Sequence, residues 1–409
     1  VSNVGAAAIS AASLVDSLNV LVIQAFSALS AGGTIICAHY IGGKNREQAN
    51  KSAGQVLFIV TLLSTILMLI CLAGNEALLR LIFGQVDDEV MEASKIYFFY
   101  TALSFPFIGI YDSGASIFRA QGNTRCPMAI SVISNIMNVC GNAILIWGFD
   151  MGIAGAAIAT LASRIFCAIA VMIFLRSGEN VICVRNYLKI RPDLRQIKKI
   201  LKIGVPSGIE NSMFQFGKLA IQSTVSTLGT AAIAAQAMTN ILENLNGIAA
   251  MGVGIGLMTI VGQCMGAGRK DEAVYFIKKV TLIAEVVVII SCLVVFAAAV
   301  PVTMLGGMEE ESASMCIYMI TWITIVKPIV WTLAFIPAYG MRGAGDVRFS
   351  MVLSCLSMWF CRVVLCIVLI RIFHFGPIGV WIGMFADWTI RAVLFTVRFF
   401  SGKWAGIKV

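Results

Sequence analysis

Apolar runs long enough to cross a bilayer recur along almost the whole chain, and no other feature limits its fold so severely. A helix needs about 20 such residues to cross the hydrocarbon layer, where every backbone N–H and C=O must be satisfied within the structure itself. Eleven stretches qualify, over residues 8–41, 50–73, 93–118, 126–147, 152–175, 198–227, 231–262, 274–300, 313–341, 349–371 and 377–400. A composition that is 59% hydrophobic and only 12% charged cannot be arranged around one water-facing core. The expected class is an all-α polytopic membrane protein. Several runs exceed the minimum length and call for tilt, kinks or ends that project into water.

The loops between these runs give an independent check, because cytoplasmic loops collect Lys and Arg. Alternate loops carry Lys44, Arg46 and Lys51, then Arg119 and Arg125, then the segment from Arg176 to Lys202, then Arg269, Lys270, Lys278 and Lys279, then Arg342 and Arg348. The intervening loops hold few basic residues and two acidic groups, Asp87, Asp88, Glu89 and Glu92 in one and Glu309–Glu311 in the other. The net charge of +9 therefore reads as topology and contact with anionic lipid, not as nucleic-acid binding. The expected location is the cell membrane, crossed many times.

The chain also resembles itself at an offset of about 224 residues. Val4–Ala11 matches Leu228–Ala235, Tyr40–Ala49 matches Cys264–Ala273, Phe118–Arg125 matches Met341–Arg348, and Gly152–Gly155 matches Gly376–Gly379. The offset spans an even number of helices, so the two copies run in the same sense through the membrane. The expected division is an N-terminal lobe over 1–185, a cytoplasmic linker over 186–197 and a C-terminal lobe of six helices over 198–409. The helix at 198–227 has no counterpart in the first copy. The repeat thus predicts one more helix before residue 1 and twelve spans in the whole protein.

The matched segments resemble one known family, the multidrug and toxic compound extrusion (MATE) transporters, and in particular its bacterial members. The likeness rests on the Gly-rich helix ends at Gly42–Ala49 and Gly266–Ala273, the Arg-x-x-Gly-x-x-Arg turns at Arg119–Arg125 and Arg342–Arg348, and Gly204-Val-Pro-Ser-Gly-Ile-Glu210. The resemblance implies an antiporter that exports drugs, toxins or metabolites by alternating access, driven by inward Na⁺ or H⁺, with a cavity between two six-helix bundles. Many members couple through an Asp on the first helix of the N-terminal lobe; that helix precedes this sequence, so no residue here inherits the role. The implied substrate is a small cationic or amphipathic molecule. A flippase for lipid-linked saccharides is the alternative on the same architecture.

Ionisable residues within spans are costly to bury and usually face a cavity or one another. Asp16, Asp112, Glu210, Glu243, Glu285 and Asp387 are the acids, and Arg164, Lys218, Lys327, Arg362 and Arg391 the bases. Asp387 and Arg391 are one turn apart and suited to pair. Arg362 stands alone on an apolar helix, where snorkelling or a structural ion pair is expected. Gln236, Asn240, Glu243 and Asn244 follow i, i+4, i+7, i+8 spacing and share one helix face. By the offset, Asp16 and Asn19 map onto Asn240 and Glu243. This polar stripe suits either an aqueous cavity whose acids take up a cation or proton, or hydrogen bonding between packed helices.

Asn135, Asn138 and Asn142 form a second stripe whose equivalents in the other copy are Trp359, Arg362 and Cys366. They suit neighbours of the family's coupling Asp, or interhelical hydrogen bonding. Glu210 lies four residues after Pro206, with Lys218 too far along the same helix to pair with it, so each requires a partner elsewhere. A carboxylate in low dielectric gains proton affinity, which suits a transport site. Pro106 and Pro328 match between copies and, with Pro206, are candidate hinges or kinks. The 12 Cys show no Cys-x-x-Cys and the 2 His are isolated, which gives no catalytic residue and leaves a metal site unassigned. No phosphate-binding Gly-x-x-x-x-Gly-Lys-Ser/Thr occurs, so neither an enzyme nor a cofactor is expected beyond the coupling cation.

Overall fold

The computed structural model describes residues 6–84, 87–178, 180–185, 187 and 190–407. Val4 and Gly5 of the first repeat match, and Asn186, Leu188 and Lys189 of the expected linker, lie outside these residues. The described chain is built from helices: α1 (Ala6–Gly42), α2 (Arg46–Ala73), α3 (Asn75–Phe83), α4 (Asp88–Leu103), α5 (Phe105–Ala120), α6 (Arg125–Ala143) and α7 (Gly152–Leu175) come first. There follow α8 (Leu194–Val225), α9 (Thr230–Gly266), α10 (Lys270–Leu305), α11 (Glu310–Gly343), α12 (Val347–Leu356), α13 (Leu365–Arg371) and α14 (Ile378–Phe400). Wider π-helical turns extend α6 over Ile144–Gly148 and join α12 to α13 over Ser357–Val364.

Nine continuous helical stretches among the described residues are long and apolar enough to cross a membrane. The other two expected spans differ for physical reasons. Residues 93–118 fall on α4 and α5, which break at Ser104 so that Pro106 enters the first turn of a new helix, where its missing N–H is no loss. The run 198–227 is α8, unbroken through Pro206 but too polar along Glu210, Gln215, Lys218 and Gln222 to read as a lipid-facing span. Pro328 lies inside the unbroken α11.

The chain divides into two compact units, Val1–Gly208 and Ile209–Val409. In the first, Cys37, Ala49, Leu57, Phe118, Val171 and Ile182 share one buried cluster. In the second, α9, α10, α11 and α14 surround Ile277, Met341, Trp381, Trp388 and Phe395. Outward-facing positions remain apolar, as at Leu69, Val139, Ile173, Leu293 and Ile329, which is the pattern of a surface solvated by lipid.

The internal repeat reaches the backbone. Left-handed residues recur at the same spacing in both copies, with Lys44 and Gly268, Gly84 and Gly307, Gly122 and Gly345, Asp150 and His374, and Gly152 and Gly376 as pairs. Lys44 adopts φ 55° where its counterpart is glycine, so the turn after α1 is kept despite the cost of a side chain there.

The segment after α7, which the loop charges assign to the cytoplasm, is held within the first unit by side chains of α2 and the turn after α5. Arg46 donates to the carbonyls of Val181 and Asn180 at 2.7 and 2.8 Å, and Gln121 accepts from the Ile182 N–H at 3.0 Å. Gln55 receives the Asp193 N–H and donates to the Arg191 carbonyl, while Gln196 bonds Ser52, Gln48 and Tyr40. The Lys51 ammonium beside Asp193 holds its carboxyl below the usual carboxylate range.

Candidate functional site

In the second unit, the stripe on α9 is only partly a hydrogen-bonded seam. Gln236 is 3% exposed, accepts from the Trp381 indole N–H at 3.0 Å and donates to Asn240 at 3.4 Å. One turn on, the stripe changes character. Glu243 Oε1 takes the Lys327 ammonium at 2.7 Å, and the same ammonium donates to the Glu243 carbonyl at 3.3 Å. Lys327 is fully buried and lies 5.1 Å from the Trp331 ring. Gly247, a turn along α9 from Glu243, faces the same ammonium, and a Cβ added there would sit in ordinary contact with the Lys327 Nζ at 3.6 Å. Asn244 is exposed.

This pair joins α9 to α11 near the middle of both helices. Its partners are 84 residues apart in sequence, so the spacing on α9 carries no signal of it. The neighbouring Asn246 also went unmarked in the sequence; its amide donates to the Cys292 sulfur at 3.0 Å and its carbonyl accepts from Ser291 at 3.0 Å.

Glu210 sits elsewhere in the same unit. It is held by the Nη2 of Arg342, whose Nε donates to the Ser350 hydroxyl at 2.7 Å. Because Arg342 ends α11 at the basic turn, Glu210 belongs to the end of the unit that the loop charges assign to the cytoplasm. Asp387 and Arg391 pair within α14 at 2.7 Å and share the Ser357 hydroxyl, while Arg391 alone also donates to the hydroxyl and carbonyl of Ser354. Glu285 lies beside Thr332. Lys218 and Arg362 find no carboxylate within ion-pair distance among the described residues; each instead lies 5.1 Å from the Phe214 ring. Arg362 is 7% exposed, too buried to snorkel, and among the described residues no carboxylate pairs with it, although Asp387 acts on it from farther off.

The first unit has its own polar centre. Asp16 Oδ1 accepts from Tyr97 at 3.2 Å and from Asn19 at 3.3 Å, and Arg164 lies within electrostatic reach of both Asp16 and Asp112 while donating to Ser104 at 2.6 Å. Ser104 stands at the break between α4 and α5, so the interruption near Pro106 places a hydroxyl against the buried guanidinium. Asn138 bonds Thr160 at 3.2 Å and Ser163 at 3.5 Å, and Asn142 donates to Asn138 at 3.2 Å, which makes the second stripe a seam between α6 and α7. Asn135 is exposed. Among the described residues no group of three or more His, Cys, Asp or Glu gathers as metal ligands would.

A multi-pass bundle with carboxylates, ammonium groups and amides deep in its apolar helices has the makings of a membrane transporter. The profile of the MatE family matches residues 1–144 and 206–368, and the chain belongs to this family, the MATE transporters. It is 25% identical over 390 residues to the probable multidrug resistance protein NorM of Thermotoga maritima, covering 92% of this chain and 81% of that one. It is 24% identical over 398 residues to the probable multidrug resistance protein YoeA of Bacillus subtilis, covering 95% and 85%. Its fold matches the outward-facing conformation of a MATE family transporter of the MOP superfamily with a TM-score of 0.87 at 19% identity, over 98% of this chain and 90% of that one. The protein is a multi-pass transporter of the plasma membrane.

Proposed function

We propose that this chain is a secondary antiporter that exports small amphipathic organic molecules by alternating access, driven by inward movement of Na⁺ or H⁺. The observation that carries the reading is the Lys327–Glu243 pair, buried midway along apolar helices. A buried carboxylate neutralised by a protein ammonium can exchange that partner for a proton or cation, and the exchange is a differential interaction able to bias two conformations. The relatives named for multidrug resistance support the substrate class. The coupling cation is the only cofactor this scheme requires.

The test is dye efflux from proteoliposomes holding the whole chain, with Na⁺ and H⁺ gradients imposed separately and together. Efflux is expected under at least one gradient. Replacing both members of the pair, Glu243→Gln with Lys327→Met, removes the titratable site without leaving an unpaired charge and is expected to abolish gradient dependence. Efflux that still follows the gradient in the double variant would remove the pair from the mechanism; no wild-type efflux under either gradient would overturn the antiporter reading.

A further inference from the structure

Four ionisable side chains of the second unit form one electrostatic cluster at membrane depth, and their charges do not balance. Glu243 acts on both Lys218 and Arg362 but gives its carboxylate to Lys327. The cluster thus holds three cations and one anion. Asp387 and Arg391 also act on Arg362, but as a mutually paired acid and base they leave the excess of positive charge unchanged, while Glu210 is held by Arg342 and Glu285 lies beside Thr332.

Arg362 is the sharpest anomaly. It is 7% exposed, its Nε has no hydrogen-bond partner, and its Nη2 meets only the thioether of Met384 at 3.2 Å. It lies nine residues before the end of α13, about 14 Å along a helix, which places it inside the hydrocarbon layer. A guanidinium whose one acceptor is a thioether is expensive there, and the Phe214 ring recovers only part of that cost. The local backbone is also unusual. Arg362 falls within the π-helical stretch Ser357–Val364, a geometry that concentrates at functional sites. On the facing helix, Gly217 lets α8 close against Met358 and Val363, which brings Phe214 and the exposed Lys218 to the same place.

The geometry points to an anion site in the second unit, in which Arg362 and Lys218, gathered about Phe214, receive the carboxylate of an amphipathic organic molecule. The guanidinium edge supplies directional donors, Lys218 supplies an accessible point charge, and the ring supplies an apolar floor. This rests on the exporter reading and names the substrate class for it: organic acids or zwitterions with an apolar body, in addition to any cation that meets the protein elsewhere.

The test measures binding to the full chain in a neutral detergent, by fluorescence anisotropy, with carboxyfluorescein as the anionic probe and ethidium as the cationic one. Wild type is expected to bind carboxyfluorescein. Arg362→Met and Lys218→Gln are each expected to weaken that binding about tenfold, the loss of one charge-assisted contact, while ethidium binding stays within about twofold. Arg362→Met is also expected to raise the thermal midpoint of the ligand-free protein, because it replaces an unpaired buried charge by an apolar side chain; a purely structural arginine would do the reverse. Failure of wild type to bind carboxyfluorescein, equal binding by both variants, or displacement of the dye by small mole fractions of phosphatidylglycerol would overturn the proposal, the last by giving the site to a lipid phosphate. Gradient-driven ethidium efflux without carboxyfluorescein binding would sink the anion site and leave the exporter standing. Anion binding without any gradient-driven efflux would do the opposite.

Discussion

At the residue scale, the interior acids divide by what each has been given as partner. Among the described residues Asp16 receives neutral donors, Tyr97 and Asn19, whereas Glu243, Glu210 and Asp387 each hold a basic side chain. A buried pair contributes little net stability when intact, yet losing one member leaves the other charged and unsolvated. Glu243→Gln is therefore expected to destabilise the protein by about 3–5 kcal/mol, and adding Lys327→Met is expected to recover most of that loss. Thermal unfolding of the single and double variants in detergent checks it; equal midpoints for the two would show that Lys327 finds another acceptor. Some of this pairing is legible in sequence and some is not. Asp387 with Arg391, and Gln236 with Asn240, follow from i, i+4 spacing. Lys327 with Glu243 and Arg342 with Glu210 join distant helices, and Arg342 reads in sequence only as a charge of a cytoplasmic turn.

At the scale of elements, helix existence was written in the apolar runs, and interruptions were not. One run became α4 and α5, breaking at Ser104 with Pro106 in the first turn of the new helix, while Pro328 and Pro206 sit within helices that continue past them. Proline removes a donor in every case; packing decides whether the helix ends. The segment after α7 was legible only as basic and lacking an apolar run, since irregular backbone held by scattered side chains has no period to detect. Its hold on α2 can be probed. Arg46→Ala removes two charge-assisted bonds to the Asn180 and Val181 carbonyls and is expected to speed trypsin cleavage at Arg185 severalfold in inside-out vesicles. An unchanged cleavage rate would mean that Gln121 and Gln55 hold the segment without it.

At the scale of the molecule, two copies of one helical unit share their turns but not their polar interiors. The loop charges predict the orientation of each copy: the turns bearing Lys44 and Arg125 in the first, and Arg269 and Arg348 in the second, are expected in the cytoplasm, and those bearing Asp88 and Glu309–Glu311 outside. Against a background with all 12 native cysteines replaced, Glu310→Cys is expected to react with a membrane-impermeant maleimide on intact cells, and Lys44→Cys only after the membrane is opened. The reverse pattern would invert the topology.

From Arg125 to Gly152 the first copy advances 27 residues, and from Arg348 to Gly376 the second advances 28. The longer copy is the one that carries the eight-residue π-helical stretch around Arg362, against five residues at Ile144–Gly148 in the first. An added residue in a regular helix would rotate everything after it by about 100°; a wider coil accommodates it, and Gly376 still reaches the left-handed turn that Gly152 makes. The halves of this protein are therefore no longer interchangeable parts. A chain assembled from the first half written twice would keep its loops and lose its arginine, with Asn138 repeated where Arg362 now stands.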